Sequence, residues 1–264
     1  MTDPSAPGTP GTLYLMPTPL DFGCEPPAAL QDALPRLAID TAARLTWWIS
    51  ENARSTRAFL KRVQAVTPLA QPLQAAHIAE LPRAAHKQGD HAGTSGARFD
   101  ARALLAPALA GHDMALTSEA GLPAVADPGS SVVRAAHEAG VPVQPLSGPS
   151  SLLLALAASG LNGQHFAFNG YLPQDAAARA QRIRELEALA LKTGQTQLFI
   201  ETPYRNAALL HALAHTLRPT TRLSVSQGLT LPTAQSRTLP ARAWRQPEAA
   251  ASLDRSPAVF AIGV

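Results

Sequence analysis

Short apolar runs and helical periodicities take turns along this chain. Leu13-Tyr14-Leu15-Met16 is a compact apolar run stopped by Pro17 and Pro19, which predicts a buried strand followed by a loop. Leu45-Thr46-Trp47-Trp48-Ile49 predicts a second strand. It leads into Asn52, a good N-cap, and a helix from Ala53 to Val63 that sets Phe59, Leu60 and Val63 on one face. A helix from Arg98 to Leu109 is closed by Gly111, and Met114-Ala115-Leu116-Thr117 predicts the next strand. Asp127-Pro128-Gly129 reads as a helix opening, with Asp127 as cap and Pro128 in the first position, and the helix runs to Ala139. Val141 to Leu146 predicts a strand of edge character because of its prolines. Ser151 to Ala158 is apolar nearly all round and predicts a helix buried on several sides.

Beyond Gly160 the pattern changes. Strand candidates His165 to Asn169, Gln197 to Ile200, Arg222 to Ser226 and Val259 to Val264 are separated by only two clear helices, Ala176 to Leu191 and Tyr204 to Leu217. The expected fold is therefore α/β in two lobes. The N-terminal lobe has a mainly parallel sheet with helices on both faces, and the C-terminal lobe has a mixed sheet. The boundaries are drawn at 12–147 and 148–264, behind a tail over 1–11 whose Pro, Gly, Ser and Thr content predicts disorder. Residues Pro82 to Gly96 lack periodicity and read as a long loop of the kind that often lies over a pocket.

Composition narrows the class. A length of 264 residues suits two lobes, and 46% hydrophobic with 16% charged residues fits a packed core rather than a disordered chain. With aromatics at 5%, that core must be built of small aliphatic side chains. The formal charge of +3 and pI of 9.4 are compatible with a protein that visits nucleic acid, but so small a surplus does not by itself hold a polyanion. Cys24 is the only cysteine, so an intramolecular disulfide is excluded and a reducing compartment is natural. No apolar run reaches the length of a membrane span, and the N-terminus carries no basic-then-apolar signal pattern, so a soluble, cytoplasmic protein is expected. The eight histidines show no ligand spacing. His211 and His215 lie four apart without an acidic or Cys partner, and no metal is expected.

In open parallel sheets, ligands bind beyond the carboxyl ends of the strands. Three loops qualify: Pro17 to Gly23, Ser118 to Gly129, and Ser147 to Ser151. The last two pair glycines, which let a ligand approach the backbone, with helix N-termini whose free N–H groups suit a carboxylate. The same glycines are also ordinary turn residues. Arg54 and Arg57 could meet phosphate, although solvation is the default for such a pair.

Ser118 to Gly129 matches S-[DE]-A-G-x-P-x-[IV]-[AS]-D-P-G, and Pro145 to Ser150 matches P-x-x-G-P-[SC]. Ser159-Gly160-Leu161 and Phe166 to Pro173 (F-x-[FY]-x-G-[FY]-L-P) follow in order. Weaker matches are Leu13 to Pro19, Glu51 to Thr56, and Glu201-Thr202-Pro203-Tyr204-Arg205. Together these resemble the tetrapyrrole methylase family, the class III S-adenosylmethionine methyltransferases, and within it the branch of 16S ribosomal RNA ribose 2′-O-methyltransferase I type. The resemblance implies a homodimer of two-lobed α/β chains, each holding S-adenosylmethionine in a cleft between its lobes. Carried onto matching positions, the cofactor-binding candidates are Pro19, Ser118, Glu119, Ala120, Gly121, Ser147, Gly148, Ser150, Ser151, Phe168 and Leu172. Glu51 and Arg54, at the end of the second strand, are the catalytic candidates on the acceptor side, with a helix-start charge pair as the plainer reading.

Three segments depart from the branch. The loop Leu20-Asp21-Phe22-Gly23-Cys24 replaces a Gly-Asn-Leu pattern, Glu51-Asn52-Ala53-Arg54 stands for E-D-T-R, and Thr230 to Ala234 ends in alanine where T-x-x-T-E ends in glutamate. The acceptor expected from the resemblance is ribosomal RNA. The alternatives are a small, tetrapyrrole-like or other metabolite acceptor, or a cofactor-binding protein that has lost turnover.

Overall fold

The computed structural model describes residues 9–21, 23–25, 27–82, 101–250 and 256–264. The first eight positions of the expected tail, most of the Pro82 to Gly96 loop and the start of the Arg98 to Leu109 helix lie outside them. The chain divides into one unit of Met1–Phe22 with Pro27–Pro149 and a second of Ser150–Val264 with Gly23–Pro26.

The first unit runs β1 (Leu13–Met16), α1 (Leu30–Ala33), α2 (Arg36–Arg44), β2 (Trp47–Ser50), α3 (Ala53–Val66) and β3 (His77–Glu80). A 3₁₀ turn, Ala101–Leu105, then leads into α4 (Ala106–Leu109), β4 (Met114–Thr117), α5 (Ser130–Glu138) and β5 (Val143–Pro145). Its sheet has the order β3-β2-β4-β1-β5, with every pair parallel. Alternate side chains of the strands enter two different cores. Met16, Trp48 and Ala115 pack with Leu30, Ile39, Phe59 and Leu60 from α1 to α3. Leu13, Ile49, Met114 and Leu116 pack on the opposite face with Leu105, Ala108, Val132 and Ala136. Such two-sided burial is what makes the strands read as continuous apolar runs. Gly11, placed in the expected tail, donates its N–H to the Ala108 carbonyl at 2.8 Å.

Three elements of this unit lie outside the sequence reading, although α2 buries one face at helical spacing through Ala38, Ile39 and Ala42. Helices α1 and α2 are short and interrupted by Pro35. Strand β3 (HIAE) lies at the sheet edge with three of its four residues exposed, so it needs no apolar run. The helix expected from Arg98 begins, among the described residues, as the 3₁₀ turn.

The second unit runs α6 (Ser151–Ser159), β6 (Phe166–Tyr171), α7 (Ala176–Thr193), β7 (Thr196–Glu201), α8 (Asn206–Thr216), β8 (Arg222–Gln227), β9 (Gln235–Pro240), α9 (Pro247–Ala250) and β10 (Ala258–Gly263). Its sheet order is β6-β7-β10-β8-β9, parallel only between β6 and β7, so it is mixed. β10 is buried along its whole length. Phe260 stacks near Phe199, with ring centroids 6.4 Å apart, in a core with Leu186, Leu213 and Trp244. Val259 and Ala261 face Leu152, Ala155 and Leu156 of α6. The buried Glu187 accepts hydrogen bonds from Arg218 N–H at 2.8 Å and Thr221 Oγ1 at 2.5 Å, so its carboxylate is satisfied within the core. Helix α6 is not buried on several sides as its composition predicts. It packs on the sheet through Leu152, Ala155 and Leu156, while Leu153 is 53% and Leu154 38% exposed. Strand β9 (QSRTLP) was not predicted, because it is a polar edge strand with no buried residue.

Asn52 caps α3 as expected, its Oδ1 accepting from Arg54 N–H at 2.9 Å. Replacing it in Asn52→Ala is expected to lower stability by about 1 kcal/mol in urea denaturation, the cost of a lost cap. An unchanged midpoint would show that the cap contributes nothing.

Candidate functional site

The three glycine-bearing loops at the carboxyl edge of the first sheet meet. Thr18 and Gly121 form an antiparallel bridge, Thr18 N–H donating to Gly121 O at 2.9 Å and Gly121 N–H donating to Thr18 O at 3.1 Å. The Thr18 hydroxyl lies 3.4 Å from the Ser118 carbonyl it donates to. A Cβ on Gly148 would sit 2.2 Å from Pro17 Cβ, so the third loop lies directly against the first. Gly121 has φ +81°, and a Cβ there would be 3.2 Å from Leu20 Cδ2 and 3.6 Å from the Pro149 carbonyl. This changes the reading of both glycines. What Gly148 admits is the ring of Pro17, and what Gly121 supplies is a left-handed turn against Leu20. They let loop meet loop.

Of the first unit's candidates, Pro19, Ser118 and Gly121 are buried, Glu119, Ala120 and Gly148 half-buried, and Ser147 exposed. In the second unit, Ser150 is the N-cap of α6 but makes no side-chain cap bond, and Ser151 is that helix's half-buried first residue. Phe168 is exposed on the edge strand β6. Leu172 belongs to the second unit's hydrophobic core at 4% exposure, which leaves its backbone rather than its side chain for a ligand.

Glu51 and Arg54 part company. Glu51 follows β2, donates its N–H to Thr117 O at 3.2 Å, and accepts from Glu119 N–H at 3.2 Å through its carboxylate. It therefore joins the Ser118–Gly121 loop. Arg54 is exposed on the first turn of α3 and, among the described residues, takes part in no ion pair.

Asp127 does not cap a helix. α5 begins at Ser130 with Gly129 as its N-cap and no side-chain cap bond, and Pro128 precedes it. The reason lies in the loop: Ala124 and Ala126 both have φ of 64°. Such left-handed turns for residues with a Cβ cost of order 1 kcal/mol each and persist only where the surroundings impose them. The turns carry Asp127 to Ser118, which hydrogen-bonds it, and into the field of Glu51 and Glu119. Burial first, then the charges of Glu51 and Glu119, raise its pKa to about 7 against the opposing effect of the Ser118 hydrogen bond. Sequence reasoning missed this group because D-P-G fits a helix start well. The signal that could have found it is the unusual run of three carboxylates expected at one sheet edge.

Two of the departing segments, and the matching Glu201–Arg205 segment, acquire structural roles. Buried Asp21 receives both terminal nitrogens of Arg62 at 3.0 Å and Ala28 N–H at 3.0 Å, which pins the loop after β1. In the second unit, Glu201 Oε1 accepts from Arg205 Nη2 at 2.7 Å and Thr202 N–H at 2.8 Å, fixing the turn before α8. Ala234 donates its N–H to Leu231 O at 3.0 Å in a tight turn. Among the described residues no His, Cys, Asp or Glu group could hold a metal ion. None of their helices is long and apolar enough to cross a membrane.

A five-stranded parallel sheet edged by interlocked glycine loops, accompanied by a mixed-sheet unit, defines an α/β protein of two units with a ligand-type loop cluster. The chain belongs to the tetrapyrrole (corrin/porphyrin) methylases, whose family model matches residues 40–243. It is 34% identical over 206 residues to the ribosomal RNA small subunit methyltransferase I of Xylella fastidiosa, covering 78% of this chain and 64% of that one. To the protein of the same name from Bacillus subtilis it is 32% identical over 207 residues, covering 78% and 60%. The match thus spans under two thirds of each of these relatives. In fold it is similar to a uroporphyrin-III-C-methyltransferase from Thermus thermophilus, with TM-score 0.54 and 19% identity over 96% of this chain and 94% of that one. A Thermus thermophilus structure of that enzyme complexed with S-adenosyl homocysteine gives TM-score 0.53 and 17% identity, covering 96% and 97%.

An aspartate with a pKa near 7 when folded and 3.8 otherwise binds more protons folded than unfolded between those values. Its ionisation therefore erodes stability as pH rises from about 4 to 7. Asp127→Asn should resemble the parent near pH 4 and exceed its stability by about 1–2 kcal/mol at pH 8, once solvent screening is allowed for. Denaturant titration without cofactor reads the difference. A gap that stays constant with pH, or opens on the acid side, would refute the assignment.

Proposed function

We propose that the chain is an S-adenosylmethionine-dependent methyltransferase acting on RNA, with a ribose 2′-oxygen of ribosomal RNA as acceptor. The observation that carries this reading is the interlocking of the three loops through the Thr18–Gly121 bridge and the Pro17–Gly148 contact. It makes a rigid, small-residue rim at the sheet edge where ligands of such folds bind. The relatives' printed names, ribosomal RNA small subunit methyltransferase I, supply the acceptor class. By the same resemblance we propose a cytoplasmic homodimer.

The donor set fits the cofactor. The Ser118–Gly121 loop offers backbone carbonyls and small side chains, and no Lys or Arg lies in it. Bound S-adenosylmethionine supplies a methyl group on a positively charged sulfur. That methyl group would be open to in-line attack by the acceptor oxygen. The chain contributes mainly position. Pro19, Ser118, Glu119, Ala120, Gly121, Ser147 and Gly148 hold the donor's orientation. Glu51, tied to Glu119 N–H, takes the acceptor's proton. Asp127, poised near 7, tunes the charge beside it.

Label transfer from S-adenosylmethionine to small-subunit ribosomal RNA is the direct test. Glu51→Gln should lower turnover about 10²-fold or more while leaving cofactor affinity intact. Gly148→Ala should displace Pro17 and weaken S-adenosylhomocysteine binding in calorimetry, at a stability cost of about 1–3 kcal/mol. Label found only in a metabolite extract would overturn the RNA acceptor. No label in either pool would leave a cofactor-binding protein.

A further inference from the structure

Helix α3, ARSTRAFLKRVQAV, carries four cations and no carboxylate. Its apolar face is spent on the core through Phe59, Leu60 and Val63, with Thr56 buried beside them. Arg62 is engaged internally, both terminal nitrogens on Asp21 and one also on the Ala28 carbonyl at 2.8 Å. Arg54, Arg57 and Lys61 remain, all exposed, and among the described residues no ion pair engages them. At helical spacing they occupy an arc of about 60° and some 10 Å of axis.

Two further observations give this stripe a direction and a purpose. It begins three residues after Glu51, whose carboxylate accepts from Glu119 N–H of the loop cluster, so it leads away from the candidate site. It is also placed against local stability. Arg54 and Arg57 lie in the first two turns of α3, at the positive end of the helix dipole, where acidic residues are favoured and cations cost a few tenths of a kcal/mol. The carboxylates near this end serve the backbone: Glu80 accepts from Ala53 N–H at 2.7 Å, and Glu51 is committed to Glu119. A local rule broken without an internal gain marks a position kept for function.

We propose that Arg54, Arg57 and Lys61 form a phosphate-binding stripe that grips the RNA backbone flanking the methylated nucleotide. This rests on the RNA reading of the loop cluster. The small overall charge of +3 then matters less than its concentration on one helix face. Such contacts set position and affinity without reading sequence.

The test replaces Arg57 and Lys61, leaving Arg54 in place. Binding of small-subunit ribosomal RNA by the R57Q/K61Q variant is followed from 50 to 200 mM salt. The slope of log affinity against log salt should become shallower by about 1.5, so that the parent loses about eightfold more affinity than the variant over that interval. KM for the RNA should rise, S-adenosylhomocysteine affinity should stay as it was, and stability should be equal or higher, because a helix N-terminus has lost cationic charge. Arg134→Gln is the control: Arg134 is exposed on α5, which packs on the opposite face of the first sheet, and its slope should match the parent's. A parent that methylates RNA while the variant keeps the parent's slope and KM overturns the stripe alone. A parent that neither binds nor methylates RNA overturns the acceptor reading and the stripe with it.

Discussion

The Thr18–Gly121 bridge and the seat of Pro17 on Gly148 depend on one topological fact: β1 lies between β4 and β5. Because all pairs in that sheet are parallel, the three strands end on the same edge, and the loop after the central one is flanked by the other two. Strand β2 lies on the far side of β4, which is why Glu51 reaches Glu119. A different strand order would leave the same motifs intact in sequence and scattered in space.

Loop closure of this kind conflicts with local preference. Gly121 at φ +81° is free of side-chain cost, but Ala124 and Ala126 at 64° are not. The core beneath over-determines them. Leu116 and Val132, at either end of this loop's flanking elements, are both fully buried in one cluster, so the loop must close the distance that the packing dictates. Its strained turns bury Asp127 beside carboxylates, and burial first, then their charges, shift that group toward 7. Rigid packing below the sheet edge and an unfavourable charge arrangement at it are thus parts of one compromise.

Most of this architecture was legible in the sequence where burial repeats. β4 emerges at Met114–Thr117 as predicted because both its faces are covered, and Asn52 caps α3 because its chemistry is local. Elements whose identity is set by neighbours were not legible. β3 and β9 are polar edge strands with few buried side chains, and α1 is a single turn, whereas α2 does carry an apolar face at helical spacing, unused in the prediction. Asp127 was misread for a related reason. D-P-G satisfies the statistics of a helix opening, but the helix waits until Ser130 because the preceding loop is coiled by tertiary packing. The burial of the Leu172 side chain in the second unit's core was not legible from its motif.

Charge is sorted by sign across the first unit in a way that the total of +3 conceals. Glu51, Glu119 and Asp127 gather at the ends of β2 and β4, while the cations of α3 point to solvent or, as Arg62 does, are neutralised by Asp21. Burial first, then the neighbouring charges of Glu51 and Glu119, raise the pKa of Asp127. Cations turned outward along a helix raise the local concentration of a polyanion. The bidentate Asp21–Arg62 pair neutralises the α3 cation that turns inward, and by doing so pins the loop after β1.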